Sequence, residues 1–233
     1  MNDAERLAIA RGKLLERVES LAGEGPIARF EEALTHASFA NETGKPDNQR
    51  LEFLGDSVLG LCVSELLADL YAQADEGLLT RMRSALVNAE ALAAWARRVA
   101  LGECIALGRG AMAGSERHQT NVLADAAEAV VAAVYIARGL DGARALVRDM
   151  VDDGLAQAER LAAPDPKSAL QERLQGAGKP APTYRLAQTA EEGREMVFEV
   201  EVMLESDVLG RGRGRSKRLA ERAAAEAALA KLD

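Results

Sequence analysis

Apolar residues recur three and four positions apart through the first two thirds of the chain, which is the helical period. Leu7, Ile9, Leu14, Leu15, Val18 and Leu21 predict an amphipathic helix over residues 4–21, ended by Gly23-Glu24-Gly25-Pro26. A short helix at 30–35 runs into His36-Ala37-Ser38-Phe39, and the breakers of 41–47 form a loop. His36 reads as a structural residue bonded to nearby backbone. A long helix covers 48–71. The turn Asp75-Glu76-Gly77 introduces helices at 78–88 and 89–100, and glycines across 102–114 predict another loop. A strongly apolar helix follows at 121–139 and a last one at 141–163. No strand alternation interrupts this series.

Beyond Ala162-Ala163-Pro164-Asp165-Pro166 the period changes, so a domain boundary is expected there, with domains at 1–163 and 164–233. Residues 167–175 read as a helix and 183–189 as a strand. Phe198, Val200, Val202 and Leu204 alternate with acids, the mark of a half-buried strand. Residues 208–214 predict a third strand, and Ser216 can cap an alanine-rich helix reaching 232. The expected fold is an all-α first domain followed by a compact α-β-β-β-α, α+β module.

Composition supports the helical half and redirects attention to charge. Apolar residues make up 48% of the 233 and aromatics only 3%, which suits closely packed alanine-rich helices. The net charge is −8, unexpected for a nucleic-acid binder, but it is uneven. From Pro164 onward Lys+Arg and Asp+Glu balance, so the whole acidic excess lies in the first domain. Cys62 and Cys104 are too few for a disulfide framework or a zinc site and read as core residues. The N-terminus lacks a signal-peptide pattern, and the uncharged apolar run at 129–137 is short of the roughly 20 residues a membrane span needs. A cytoplasmic protein with no membrane partner is the expectation.

The acids carry the candidate chemistry. Glu52 and Asp56 lie one helical turn apart beside an apolar stripe of Leu51, Leu54, Val58 and Leu61. Like charges at that spacing cost a helix roughly 0.2–0.5 kcal/mol, which a bound cation would offset. Gly55 between them costs about 1 kcal/mol relative to Ala, and so predicts close approach by another backbone or a ligand. Asp125 and Glu128 form a second pair, three apart in an otherwise apolar helix, with no Lys or Arg at helical spacing from either. Two readings stand at this point. The second pair lies on the exposed edge of a core helix, or the two pairs converge on a hard cation, Mg²⁺ or Mn²⁺. In the second domain, residues 210–222 hold six cations against one acid and lead into a helix N-terminus, which suits phosphate.

The stretch Asn48-Gln49-Arg50-Leu51-Glu52-Phe53-Leu54-Gly55-Asp56-Ser57 resembles the signature of the bacterial ribonuclease III family. Leu34-Thr35-His36-Ala37-Ser38, Asp75-Glu76-Gly77 and Leu123-Ala124-Asp125-Ala126-Ala127-Glu128-Ala129 resemble its other nuclease motifs. The resemblance implies that Glu52, Asp125 and Glu128 ligate Mg²⁺, for which Mn²⁺ can substitute. It implies catalytic roles for Asp56 and Glu128, a further acid of the same valley at Glu76, and a homodimer contact at Phe53. Gln49 departs from the family, where a glutamate is common. In the second domain, Arg215, Ser216, Lys217 and Arg218, with Ala220 and Glu221, resemble the phosphate-gripping motif of a double-stranded RNA-binding domain. Gln171 and Glu172 match the helix that such a domain lays on the minor groove, and Arg194 stands where a His is common. Such domains read duplex shape over about 16 base pairs.

The implied activity is hydrolysis of double-stranded RNA, leaving 5′-phosphate and 3′-hydroxyl ends with short 3′ overhangs. Ribosomal RNA precursors and structured messenger RNAs are the implied substrates. A double-stranded RNA-binding regulator that does not cleave is the alternative, and Gln49 is the feature in its favour.

Overall fold

A computed structural model describes residues 2–162, 165–192 and 195–232. The chain forms two compact units, Met1–Ala162 and Ala163–Asp233. Unit 1 is helical: α1 (Asp3–Ala22), α2 (Phe30–Ala33), α3 (Ala37–Thr43), α4 (Gln49–Leu70), α5 (Glu76–Leu86), α6 (Ala89–Arg98), α7 (Arg109–Ala113), α8 (Thr120–Val151) and α9 (Leu155–Ala162). Caps set several starts. The side chains of Asp75 and Asn88 accept the N–H groups of Leu78 and Ala91, satisfying donors that a helix start leaves open.

The core forms where α4 packs along α8. From α4 it takes Leu51, Val58, Leu59, Cys62, Val63 and Leu67, and from α8 Leu123 and the alanines and valines of 126–134. Small side chains on α8 let the backbones come together, and Gly55 completes the approach, because a methyl there would overlap the Glu128 carbonyl oxygen. The expected close approach at Gly55 is therefore to the backbone of the second acidic helix. Cys62 and Cys104 are core residues, as expected. By length and composition, residues Thr120–Arg160 could cross a membrane, but 61% of their most apolar window is buried within the protein.

Three expectations need correction. Leu61, assigned to the apolar stripe, is 48% exposed, because the buried side of α4 faces α8 and Leu61 falls off it. The stretch 102–114 is no simple surface loop. It contains a 3₁₀ turn at Leu101–Cys104 and α7, and residues 104–108 are buried. Ala106 donates to Leu34 O at 2.9 Å and accepts from His36 N–H at 3.1 Å, so pairing with the chain before α3 draws the strap inside. The two helices expected at 121–139 and 141–163 divide differently. Gly139 adopts φ +68°, open to glycine without penalty, and kinks α8, which continues to Val151 before a 3₁₀ turn leads to α9.

Unit 2 runs α10 (Pro166–Gly176), β1 (Thr183–Glu192), β2 (Glu195–Leu204), β3 (Asp207–Gly214) and α11 (Lys217–Leu232). Its antiparallel sheet has the order β1-β2-β3. Leu170 and Leu174 of α10, Val200 and Val202 of β2, and Ala220, Ala224, Ala225 and Ala228 of α11 make its core. β3 reads Gly-Arg-Gly-Arg-Gly from Gly210, and the alternation sorts the two residue types onto opposite faces. A side chain at Gly210, Gly212 or Gly214 would strike the backbone of α11. Arg211 and Arg213 therefore point to the sheet's other face. There Arg211 pairs with Glu201 at 2.8 Å and Arg213 with Glu199 at 3.1 Å, while Arg185 of β1 also holds Glu201 at 2.6 Å. The basic run is thus not one surface: its strand half makes ion pairs across the sheet, and only its second half opens α11.

Candidate active site

α4 and α8 bring Glu52, Asp125 and Glu128 together. Each offers one carboxylate oxygen, all of them within 4.8 Å of one another, and all three residues are half-buried. Convergence follows from spacing and contact together. Glu52 lies three residues before Gly55, where α4 touches the Glu128 carbonyl, and Asp125 lies one turn before Glu128 on α8.

Burial is the largest influence on all three acids. It pushes the Glu128 carboxyl up to about 8, with the charges of Asp56, Glu52 and Asp125 adding to the shift. Burial also raises Glu52, with help from Asp125, Asp47 and Asp56. Asp125 is raised by burial and drawn the other way by His36. Among the described residues no ion pair reaches the trio. Three half-buried carboxylates with no cationic partner are costly as anions, and a divalent cation relieves the cost. The donor set is all oxygen, which suits a hard ion. Mg²⁺ prefers octahedral coordination and keeps several waters, so these three carboxylates would fit such an ion as its protein ligands.

The other expected site residues are placed as follows. Asp56 is exposed one turn beyond Glu52, outside the trio but near enough for its charge to act on Glu52 and Glu128. Glu76 is exposed in the first turn of α5 and does not join the trio. Gln49 is exposed in the first turn of α4. Phe53 is 80% exposed, so it is not a core residue of its own chain. On unit 2, Gln171 and Glu172 are exposed on α10. Ser216 caps α11 by accepting the N–H of Leu219 at 3.3 Å, and Arg215, Lys217 and Arg218 are exposed around that start. Glu221 is engaged by Lys167 at 2.5 Å. Arg194 lies outside the described residues.

Sequence reasoning missed two features. His36 acts on Asp125 across the fold, and Lys167 lies over the Tyr184 ring at 4.5 Å, in a cleft it shares with Gln171 and Arg218. Neither partnership has a local spacing that could announce it.

A paired-helix carboxylate site in one unit and an α-β-β-β-α unit with a basic helix start in the other define a two-domain nuclease that acts on RNA. Residues 28–153 match the family described as Ribonuclease-III-like, and residues 166–232 match the double-stranded RNA binding motif. The protein named Ribonuclease 3 in Cereibacter sphaeroides is 44% identical over 205 residues, covering 88% of this chain and 89% of that one. Its namesake in Myxococcus xanthus is 44% identical over 208 residues, covering 86% and 79%. The solved nuclease domain of ribonuclease III from Campylobacter jejuni, described for flexibility in a region involved in dimer formation, superposes with a TM-score of 0.55 at 30% identity. That match covers 61% of this chain and 99% of the solved one. The chain belongs to the ribonuclease III family.

Proposed function

We propose that the chain is an Mg²⁺-dependent endonuclease that hydrolyses double-stranded RNA as a homodimer, with Mn²⁺ able to replace Mg²⁺. The observation that carries the reading is the trio of Glu52, Asp125 and Glu128, convergent, half-buried and reached by no ion pair among the described residues. A divalent cation held there would supply Lewis-acid charge at the phosphate and a more acidic water. Glu128 gives up its proton when a cation is bound, since its carboxyl otherwise ionises only near 8. Asp56, exposed beside the trio, can orient a water at the scissile phosphate or accept its proton. The proposed products carry 5′-phosphate and 3′-hydroxyl ends with short 3′ overhangs. The proposed substrates are ribosomal RNA precursors and structured messenger RNAs of the cytoplasm.

Exposed apolar residues support the dimer. Phe53 and Leu61 on α4, with Tyr135 and Ile136 on α8, leave large side chains in water on the two helices that also carry the trio. A second copy that covers them would set two sites against one duplex.

A labelled RNA hairpin tests the reading. With Mg²⁺ it is expected to be cut to products with 5′-phosphate ends, and a chelator should stop cleavage while binding persists. Retained binding with no cleavage at any Mg²⁺ or Mn²⁺ concentration would favour the non-cleaving regulator.

The grip on RNA is expected to be electrostatic at the start of α11. Lys217→Ala and Arg218→Ala should each weaken binding about equally across duplex sequences. Each should also make the slope of log K against log[salt] shallower by roughly one. Unchanged slopes in filter binding from 50 to 200 mM salt would remove these residues from the interface.

A further inference from the structure

A cleft in unit 2 has on its two walls residues expected to meet RNA. Gln171 of α10 lines one wall, and Arg218, in the first turn of α11, lines the other. Lys167, one helical turn before Gln171, crosses between them. Its Nζ donates to Glu221 Oε2 of α11 at 2.5 Å and lies 4.5 Å from the centre of the Tyr184 ring of β1. Both charged side chains are partly buried, with 37% and 28% exposed. The Asp165 side chain accepts the Lys167 backbone N–H at 3.0 Å, which fixes the start of α10 from which the lysine reaches out.

The core beneath, Leu170 and Leu174 with the alanines of α11, gains by burial, which has no preferred direction. A charge-assisted hydrogen bond does have one. At the other end of α10, Arg173 donates to Leu232 O at 2.5 Å, so polar ties join the two helices at both ends. An ion pair this exposed adds little to stability by itself. Seated on an aromatic face, it holds two long side chains in one geometry. Tyr184 provides that seat with its ring rather than its hydroxyl, which is buried with no hydrogen-bond partner among the described residues.

We propose that Lys167, Glu221 and Tyr184 are positioning residues for RNA binding: the ion pair seated on the ring sets α10 against α11, so that Gln171 and the start of α11 meet one duplex together. The inference rests on the duplex-RNA reading of unit 2 given above. The cations at the start of α11 can neutralise phosphates wherever α10 lies, whereas Gln171 is uncharged and depends on being held in place. Loss of the strut therefore weakens binding without removing phosphate contacts.

Filter binding of the full chain to a duplex hairpin in chelator, from 50 to 200 mM salt, separates a strut from a direct phosphate contact. K167M and E221Q are each expected to weaken binding roughly tenfold, and the double variant by about the same factor, because both changes break one interaction. The slope of log K against log[salt] should be unchanged in all three. K167R keeps a cation over the ring and should bind as the unsubstituted chain does. Y184F, which keeps the ring and removes only the unpartnered hydroxyl, should do the same. If Lys167 gripped phosphate itself, K167M would make the slope shallower by roughly one, and E221Q, by freeing the ammonium, would bind more tightly. Either result overturns the proposal, as does K167M binding like the unsubstituted chain. E221Q decides the same question if K167M fails to fold. No hairpin binding by the unsubstituted chain would instead overturn the RNA reading beneath it.

Discussion

Glu128→Gln is expected to slow single-turnover cleavage of a duplex hairpin by about 10³-fold, the factor that roughly 4 kcal/mol of lost charge stabilisation produces. Hairpin binding through residues 166–232 should be unchanged, since the RNA-binding motif lies in the other unit. The substitution isolates charge from shape. With its carboxyl pushed up to about 8, Glu128 is mostly protonated at neutral pH before a cation arrives, and Gln copies that neutral form. The cation-free variant should therefore fold at least as well as the unsubstituted chain.

The pH dependence follows from the same shift. A folded value above the ordinary 4.5 means that the stability associated with protonated Glu128 is complete below about 4.5 and is lost as pH rises through about 8. In chelator, the thermal midpoint should fall between pH 5 and 8 less steeply in Glu128→Gln than in the unsubstituted protein. Mg²⁺ reverses the trend, because it competes with that proton. Its apparent affinity should rise by up to about tenfold per pH unit until Glu128 ionises freely. Calorimetry in buffers of different ionisation enthalpy counts the proton released. Mg²⁺ affinity independent of pH from 5 to 8 would rule out Glu128 as the coupled ligand.

Gly55→Ala is expected to damage both fold and site. A methyl at Gly55 meets the Glu128 carbonyl oxygen, and backbone cannot rotate out of the way as a side chain can. Overpacking a tight contact costs about 1–3 kcal/mol or more, and at 2–4 °C per kcal/mol the melting of unit 1 should drop by roughly 2–12 °C. Because the clash is with Glu128 itself, α8 must move away from Glu52, so cleavage should fall further than stability alone requires. Gly60→Ala is the control on the same helix. Nothing lies within 4 Å of a methyl there, and Ala is the better helix former by roughly 0.5–1 kcal/mol, so that variant should be as stable or more so. Equal melting of the two variants would contradict the helix contact described here.

Most of the element order was legible because periodicity is a local signal. The 3.6-residue repeat before the two-proline linker and the alternation from Phe198 follow from which face of each element must be buried. The glycines of residues 102–114 signal turns, and nothing in their own order reveals that Thr35 and Ala106 pair as a parallel bridge. Likewise, Gly139 announced a break but not that the helix would resume in the same element.

The chemistry at hand is written in local order: two acidic pairs at helical spacing, a glycine too costly to be filler, and a basic run before a capped helix. How these divide is set by packing between elements far apart along the chain. The contact at Gly55 puts Glu52, Asp125 and Glu128 in one group and leaves Asp56 exposed at its side. The glycine face of β3 turns Arg211 and Arg213 to the far side of the sheet and leaves Arg215, Lys217 and Arg218 to open α11. Packing also placed Phe53 in solvent and brought His36, far away in sequence, within electrostatic reach of Asp125. The physical reason is common to all four. Spacing along a chain fixes which side chains share a face, whereas what that face meets depends on contacts between residues far apart in sequence.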